Sequence, residues 1–184
     1  MKKKLLILVT GSVGASNLDA YLYYLKEFYD LTVILSENSK QFINKNLVSY
    51  FCDKVYDQLF IEGVVPHVIL PNETDLVLVL PATANVLGKI ANGIADDLVT
   101  SSVLNFSKSI IFCPNMNSTM WNNPIVQKNV SILEELGHFF LLESKRSYEV
   151  GLRKATDSMC SMLQPQALVR EVLSIEKIVL GEGH

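Results

Sequence analysis

The 184-residue chain is 49% hydrophobic and 19% charged, which fits one globular domain with a sizeable core and excludes a disordered chain. Its net charge of -3 gives no global attraction to nucleic acid or an anionic membrane. Cys52, Cys113 and Cys160 are odd in number and unpaired in spacing. This excludes a disulfide framework or zinc site and indicates a reducing, cytoplasmic setting.

Lys2–Lys4 and the apolar run Leu5–Val9 are too short for a signal peptide, and no other stretch is long enough to span a bilayer. Leu5–Thr10 is expected to be a first buried strand. Gly11-Ser12-Val13-Gly14-Ala15-Ser16 follows as a tight turn, then a helix to about Tyr29 with apolar positions Leu18, Leu22, Leu25 and Tyr29. Small residues between a strand and a helix N-terminus let backbone N–H groups approach a phosphate. They equally suit a purely structural turn. Leu31–Leu35 is a second strand. Ser36-Glu37-Asn38-Ser39 leads into a helix through about Tyr50; Ser36 and Ser39 are cap candidates that also sit where a phosphate would bind. Lys54–Tyr56 is a short third strand. Asp57–Asn72 is expected to be irregular and carries His67, a residue suited to acid–base work if it reaches a pocket.

Leu76–Leu80 is five consecutive apolar residues, the pattern of a strand buried on both faces. Pro81 is expected to stop it, with Thr83 or Asn85 capping a helix that starts near Asn85. Ligands bind open parallel sheets at such carboxyl edges. Thr83 and Asn85 offer polar groups, and Ala82 and Ala84 leave room for a flat ring. The helical region runs to about Phe106, with a break at Gly93. Ser109–Cys113 is a further strand. Pro114-Asn115-Met116-Asn117-Ser118-Thr119-Met120-Trp121 follows, where amides can hold a carboxylate without adding charge and Met and Trp can wall a flavin or a subunit contact. Pro124–Leu136 is an amphipathic helix with Gly137 after it, Phe139–Leu142 a last strand, and Pro165–Leu180 a closing helix. Glu143–Gln164 has no clear period and suggests a lid or mobile segment. The element order makes this an α/β domain.

Gly11-Ser12-Val13, His67, Pro81-Ala82-Thr83-Ala84-Asn85 and Pro114-Asn115-Met116-Asn117-Ser118-Thr119-Met120-Trp121 together resemble the flavin-containing cysteine decarboxylases. His67 stands fourteen residues before Pro81, the spacing of that family's active-site histidine. The resemblance implies one Rossmann-like or flavodoxin-like domain over 1–184, a parallel sheet with helices on both faces, and bound FMN. It also implies a homo-oligomer, a trimer that builds a dodecamer. Asn115 and Trp121-Asn122-Asn123-Pro124 are closer to the lantibiotic branch. That branch oxidatively decarboxylates the C-terminal cysteine of a precursor peptide to an aminoenethiol. The alternatives are phosphopantothenoylcysteine decarboxylase of coenzyme A synthesis and a non-catalytic flavoprotein subunit. Retention of His67 and Asn117 argues against the last.

By this resemblance His67 is the base and Asn117 holds the carboxylate, with Asn115 and Met120 at the substrate. Gly11, Ser12, Val13, Ser36 and Ser39 serve the flavin phosphate, and Ala82, Thr83, Ala84 and Asn85 its ring or ribityl chain. No metal is implied. The flavin removes two electrons from the cysteine side chain, and the resulting C=S group accepts the electrons released with CO2. Cys160 lacks the Gly/Cys-Gly-Asp surroundings of the coenzyme A branch's proton donor, so it is expected to be a packing residue and the enethiol the final product. The segment 143–164 resembles a substrate clamp, a hairpin closing over the peptide tail.

Overall fold

The computed structural model describes residues 2–181. Its centre is a six-stranded, all-parallel sheet in the order β3-β2-β1-β4-β5-β6. The strands are β1 (Lys3–Val9), β2 (Tyr29–Leu35), β3 (Lys54–Tyr56), β4 (Leu76–Ala82), β5 (Ile110–Pro114) and β6 (Phe139–Phe140). Every residue of β4 and β5 is buried, as a parallel sheet covered on both faces requires.

The faces divide by alternation along β1. Leu5, Ile7 and Val9 pack with α1 (Leu18–Leu25) and α8 (Pro165–Val179). Leu6 and Leu8 belong to the opposite core. That core includes residues of α3 (Pro66–Asn72), α4 (Ala84–Ala91), α5 (Leu98–Leu104) and α7 (Pro124–Glu135). Two short helices, α2 (Lys45–Ser49) and α6 (Ser118–Trp121), complete the set. This is the expected doubly wound architecture. No helix among the described residues is long and apolar enough to cross a membrane.

The C-terminal helix is tied to the sheet by a polar knot. Tyr29 donates its hydroxyl proton to Glu176, and Lys3 Nζ sits 2.7 Å from the same carboxylate. Burial, then the Glu176 bond, holds the Tyr29 phenol far above its ordinary range.

Several expected boundaries shift. Tyr29 does not end a helix: it opens β2, paired in register with Lys3. Its place in the i, i+4 series fits both periods, and burial of its ring against α8 decides for the strand. The helix expected through Tyr50 is a 3-10 turn, Glu37–Gln41, followed by α2. Pro81 does not stop β4, which runs on through a cis Leu80–Pro81 bond to Ala82. The segment around His67 is helical, with Pro66 in the first turn of α3. Its fixed φ and missing N–H suit that position. Asn92 to Asp97 separates α4 from α5, with Gly93 at φ +69. The last strand of the sheet is only two residues long.

Residues Glu143–Glu149 (β7) and Lys154–Ser161 (β8) form a separate antiparallel hairpin. The hairpin lies within the segment 143–164 that the sequence marks as a clamp or lid.

Candidate active site

The strand order reverses between β1 and β4, and open sheets bind ligands at the carboxyl side of such a switch point. Thr10 fastens the two strand ends together. Its hydroxyl donates to the Pro81 carbonyl at 2.7 Å and accepts from the Thr83 N–H at 3.2 Å.

Three loops leave this edge, and each starts a helical turn with a side-chain cap. Ser12 accepts from Gly14 N–H, Ser36 from Ser39 N–H, and Thr83 from Val86 N–H. The remaining first-turn N–H groups favour an anion. A crevice of about 440 Å³ lies among these loops, faced by Thr10, Gly11, Ser36, Asn38, Thr83 and Asn85, with Val86 and Val99 as apolar wall. A Cβ on Gly11 would stand 2.5 Å from Asn38 Cβ and 3.0 Å from its carbonyl carbon. Glycine is what lets the first turn press against the second.

Lys89 also faces the crevice, one turn beyond Asn85 on α4. Two Asp96 contacts at 2.7 and 2.8 Å and Asp97 at 3.5 Å hold its ammonium. The Asp96 hydrogen bond raises the Lys89 pKa and lowers that of Asp96.

A second cavity, about 320 Å³, lies between Ser12, Val13, the Asn115–Asn117 loop and the inner face of the hairpin. The two asparagines are oriented the same way. Ser12 donates its hydroxyl proton to Asn115 Oδ1. Asn117 Oδ1 caps α6 by accepting from Met120 N–H at 2.8 Å. Each amide thus spends its oxygen on the protein and keeps its NH2 group, a neutral donor. Ser118 then ties the loop to the hairpin: its hydroxyl donates to Asp157 O and accepts from Met159 N–H, both at 3.1 Å.

Of the expected site residues, Gly11, Ser36, Thr83 and Asn85 meet at the crevice, while Ser12, Val13, Asn115 and Asn117 meet at the second cavity. Ser39 does not reach either cavity; it is fully buried and its hydroxyl turns back to the Ser36 carbonyl at 2.7 Å. Ala82 is buried in β4, and Ala84 opens α4 without facing either cavity. Met120 is 45% exposed and lines neither.

His67 also lines neither cavity. Its ring meets Phe60 edge-on at 5.9 Å, and its Nδ1 is buried without a hydrogen-bond partner. A buried orphan nitrogen of this kind is rare in a native fold.

Cys160, expected to be a packing residue, is buried but also borders the second cavity. Burial pushes its thiol up to about 12, so it stays protonated at neutral pH. Lys89, Asn38, Thr10 and the hairpin's inner face were not singled out from the sequence. Only Lys89 leaves a signal there, its i+4 spacing from Asn85.

A family model described as Flavoprotein matches residues 1–175. The chain belongs to that family. This flavoprotein is 39% identical over 135 residues to epidermin decarboxylase of Staphylococcus epidermidis, covering 73% of this chain and 74% of the relative. It is likewise 39% identical over 141 residues to mersacidin decarboxylase of a Bacillus species, covering 76% and 73%. Its fold is similar to the solved structure of EpiD complexed with substrate peptide DSYTC: TM-score 0.86, 32% identity, 94% of this chain and 99% of that one.

The flavoprotein's two cavities suit FMN. Serine and threonine hydroxyls, amides and capped N-termini offer neutral donors for a phosphate and a polar chain. Val13, Phe42, Met116, Val86 and Val99 offer apolar surface for a flat ring.

Proposed function

We propose that this protein is an FMN-dependent peptidyl-cysteine decarboxylase that converts the C-terminal cysteine of a ribosomal precursor peptide to an aminoenethiol, with loss of CO2 and two hydrogens. The observation that carries this reading is the pair of asparagine amides at the second cavity, both with oxygen tied back and NH2 left over. Two neutral donors grip a carboxylate. They do not stabilise the anion as strongly as an arginine would, so less ground-state binding opposes its departure.

Bound FMN supplies the two-electron oxidant. Gly11, Ser12, Val13 and Ser36, with the capped turns after them, hold its phosphate, and Ser39 buttresses the Ser36 turn from behind. Thr83 and Asn85 bound its ring and ribityl chain. Asn117 and Asn115 orient the substrate carboxylate. His67 takes the proton. The hairpin over 143–164 lies across the entering peptide and excludes water.

His67 lies away from both cavities of its own chain, so the site is completed by a second copy in a homo-oligomer, a trimer that builds a dodecamer. The surface around His67 supports this. Phe60 is 67% exposed, Val68 44% and Ile69 39%, an apolar patch suited to burial against another subunit. Three free, buried cysteines suit a reducing cytoplasm. Phosphopantothenoylcysteine is the weaker substrate reading, because Cys160, in Ser158-Met159-Cys160-Ser161-Met162, lacks the Gly/Cys-Gly-Asp surroundings of the coenzyme A branch's proton donor.

The test is a mass measurement. The FMN-loaded protein, incubated with a peptide ending in cysteine, should lower the peptide's mass by CO2 plus two hydrogens. His67→Asn should keep the flavin absorbance and lose at least about 100-fold in rate. Conversion of phosphopantothenoylcysteine alone, or full activity of His67→Asn, would overturn the substrate or the base assignment respectively. Light scattering checks the oligomer.

A further inference from the structure

The second cavity is lopsided in charge. Of the described residues lining it, Glu149 alone carries a carboxyl group, and none is a lysine or arginine. Glu149 stands at the end of β7, half-buried, on the inner face of the hairpin. Its carboxylate accepts a hydrogen bond from the Thr156 hydroxyl at 3.2 Å. Its partner in register is Lys154, which is exposed. No ion pair joins the two among the described residues. The carboxylate is therefore held in place by a neutral hydroxyl, with no ion-pair partner within 4 Å among the described residues.

The asparagine loop contributes two amide NH2 groups to the cavity, while the hairpin contributes this anion. A substrate whose carboxylate sits on the amides runs its upstream residues along the hairpin. An anion there meets like charge; a cation meets its complement. Between half-solvated groups at a few ångströms such contacts amount to a few-fold in affinity each, and like-charge rejection counts toward specificity as much as attraction does.

We infer that Glu149 determines specificity for the stretch upstream of the terminal cysteine, favouring a basic side chain there and rejecting acidic or phosphorylated tails. This rests on the proposed peptidyl-cysteine reading. The charge weakens binding of a phosphorylated small molecule by a similar factor, and it sets a sequence preference that the carboxylate-binding amides cannot set.

The experiment uses the FMN-loaded protein and synthetic alanine-rich pentapeptides ending in cysteine. Lysine, alanine or glutamate is placed in turn at each of the four upstream positions. Binding is followed by calorimetry and turnover by mass loss. At one or more positions lysine should bind better than glutamate by about tenfold, the product of one attraction and one repulsion. Raising the salt should shrink that ratio. Glu149→Gln should bring it close to one, whereas Glu149→Asp should keep its direction. Equal binding of lysine and glutamate peptides at every position overturns the inference, even if all of them lose mass. A lysine preference without any mass loss sustains the inference and overturns the proposed reaction. Equal weakening of every peptide by Glu149→Gln, with the ratio and its salt dependence intact, also overturns it, by reducing Glu149 to a support for Thr156. Absence of binding by every peptide overturns both.

Discussion

The central sheet and the β7–β8 hairpin are built on opposite rules. In β4 all seven residues are buried, whereas β7 alternates half-buried and exposed positions and carries Glu143, Lys145, Arg146 and Glu149. The sheet is held by apolar packing on both faces. Among the described residues the hairpin has no ladder to it; Ser118 fastens it at β8, and just beyond β8 Met162 packs into the core while the Tyr21 hydroxyl holds the Leu163 carbonyl at 2.8 Å. Stability and selectivity are therefore separable: the sheet positions the loops, and the hairpin presents chemistry to whatever lies on them.

The largest expected effect tests the sheet. Leu78→Ala, at a fully buried position in β4, should cost about 3 kcal/mol by cavity formation, read by urea unfolding. A loss below about 1 kcal/mol would show that the central strand is less tightly packed than its burial states. Gly11→Ala comes next. The added methyl meets Asn38 backbone as well as its Cβ, and forcing the two turns apart should cost about 1–3 kcal/mol. Flavin retention should fall with it, seen as lost absorbance after gel filtration.

A pH test follows. Burial lowers the His138 pKa, and its Nδ1 accepts the Ile110 N–H at 3.2 Å, an interaction only the neutral ring can make. The unfolded chain therefore binds the proton more readily than the folded one. Stability should be full above about 6.5 and fall as pH drops through that value toward the lower folded pKa. Replacing His138 by glutamine should flatten that part of the stability–pH curve. The smallest effect belongs to the hairpin. Arg146→Ala, exposed on its outer face, should change unfolding free energy by no more than about 0.5 kcal/mol. A large loss would mean that the hairpin is part of the cooperative core.

The same contrast explains what the sequence disclosed. Leu5–Val9 and Leu76–Leu80 are apolar runs that only doubly covered strands explain, and Thr83 at a strand end announced its cap. The helix around His67 stayed hidden because Pro66 and Pro71 break any periodic signal. The hairpin carries charge on both of its faces, so alternation has nothing apolar to mark. Tyr29 fitted a helical spacing until Glu176, distant in sequence, turned out to bind its hydroxyl. For the site, the residue types of the asparagine loop pointed to a carboxylate, but which end of each amide is free depends on Ser12 and Met120. The distance of His67 from both cavities is a property of three-dimensional placement that no spacing along the chain contains.

The hairpin is an insertion between β6 and α8, and the Tyr29–Glu176–Lys3 knot clamps the chain that resumes after it. The stem ends are anchored outside the ribbon, Leu141 N–H donating to the Phe112 carbonyl and the Tyr21 hydroxyl to the Leu163 carbonyl, both at 2.8 Å. Ribbons of different sequence can be grafted between those anchors, giving a route by which one scaffold acquires a new cavity wall through exchange of about twenty residues, without revisiting the register of a single core strand.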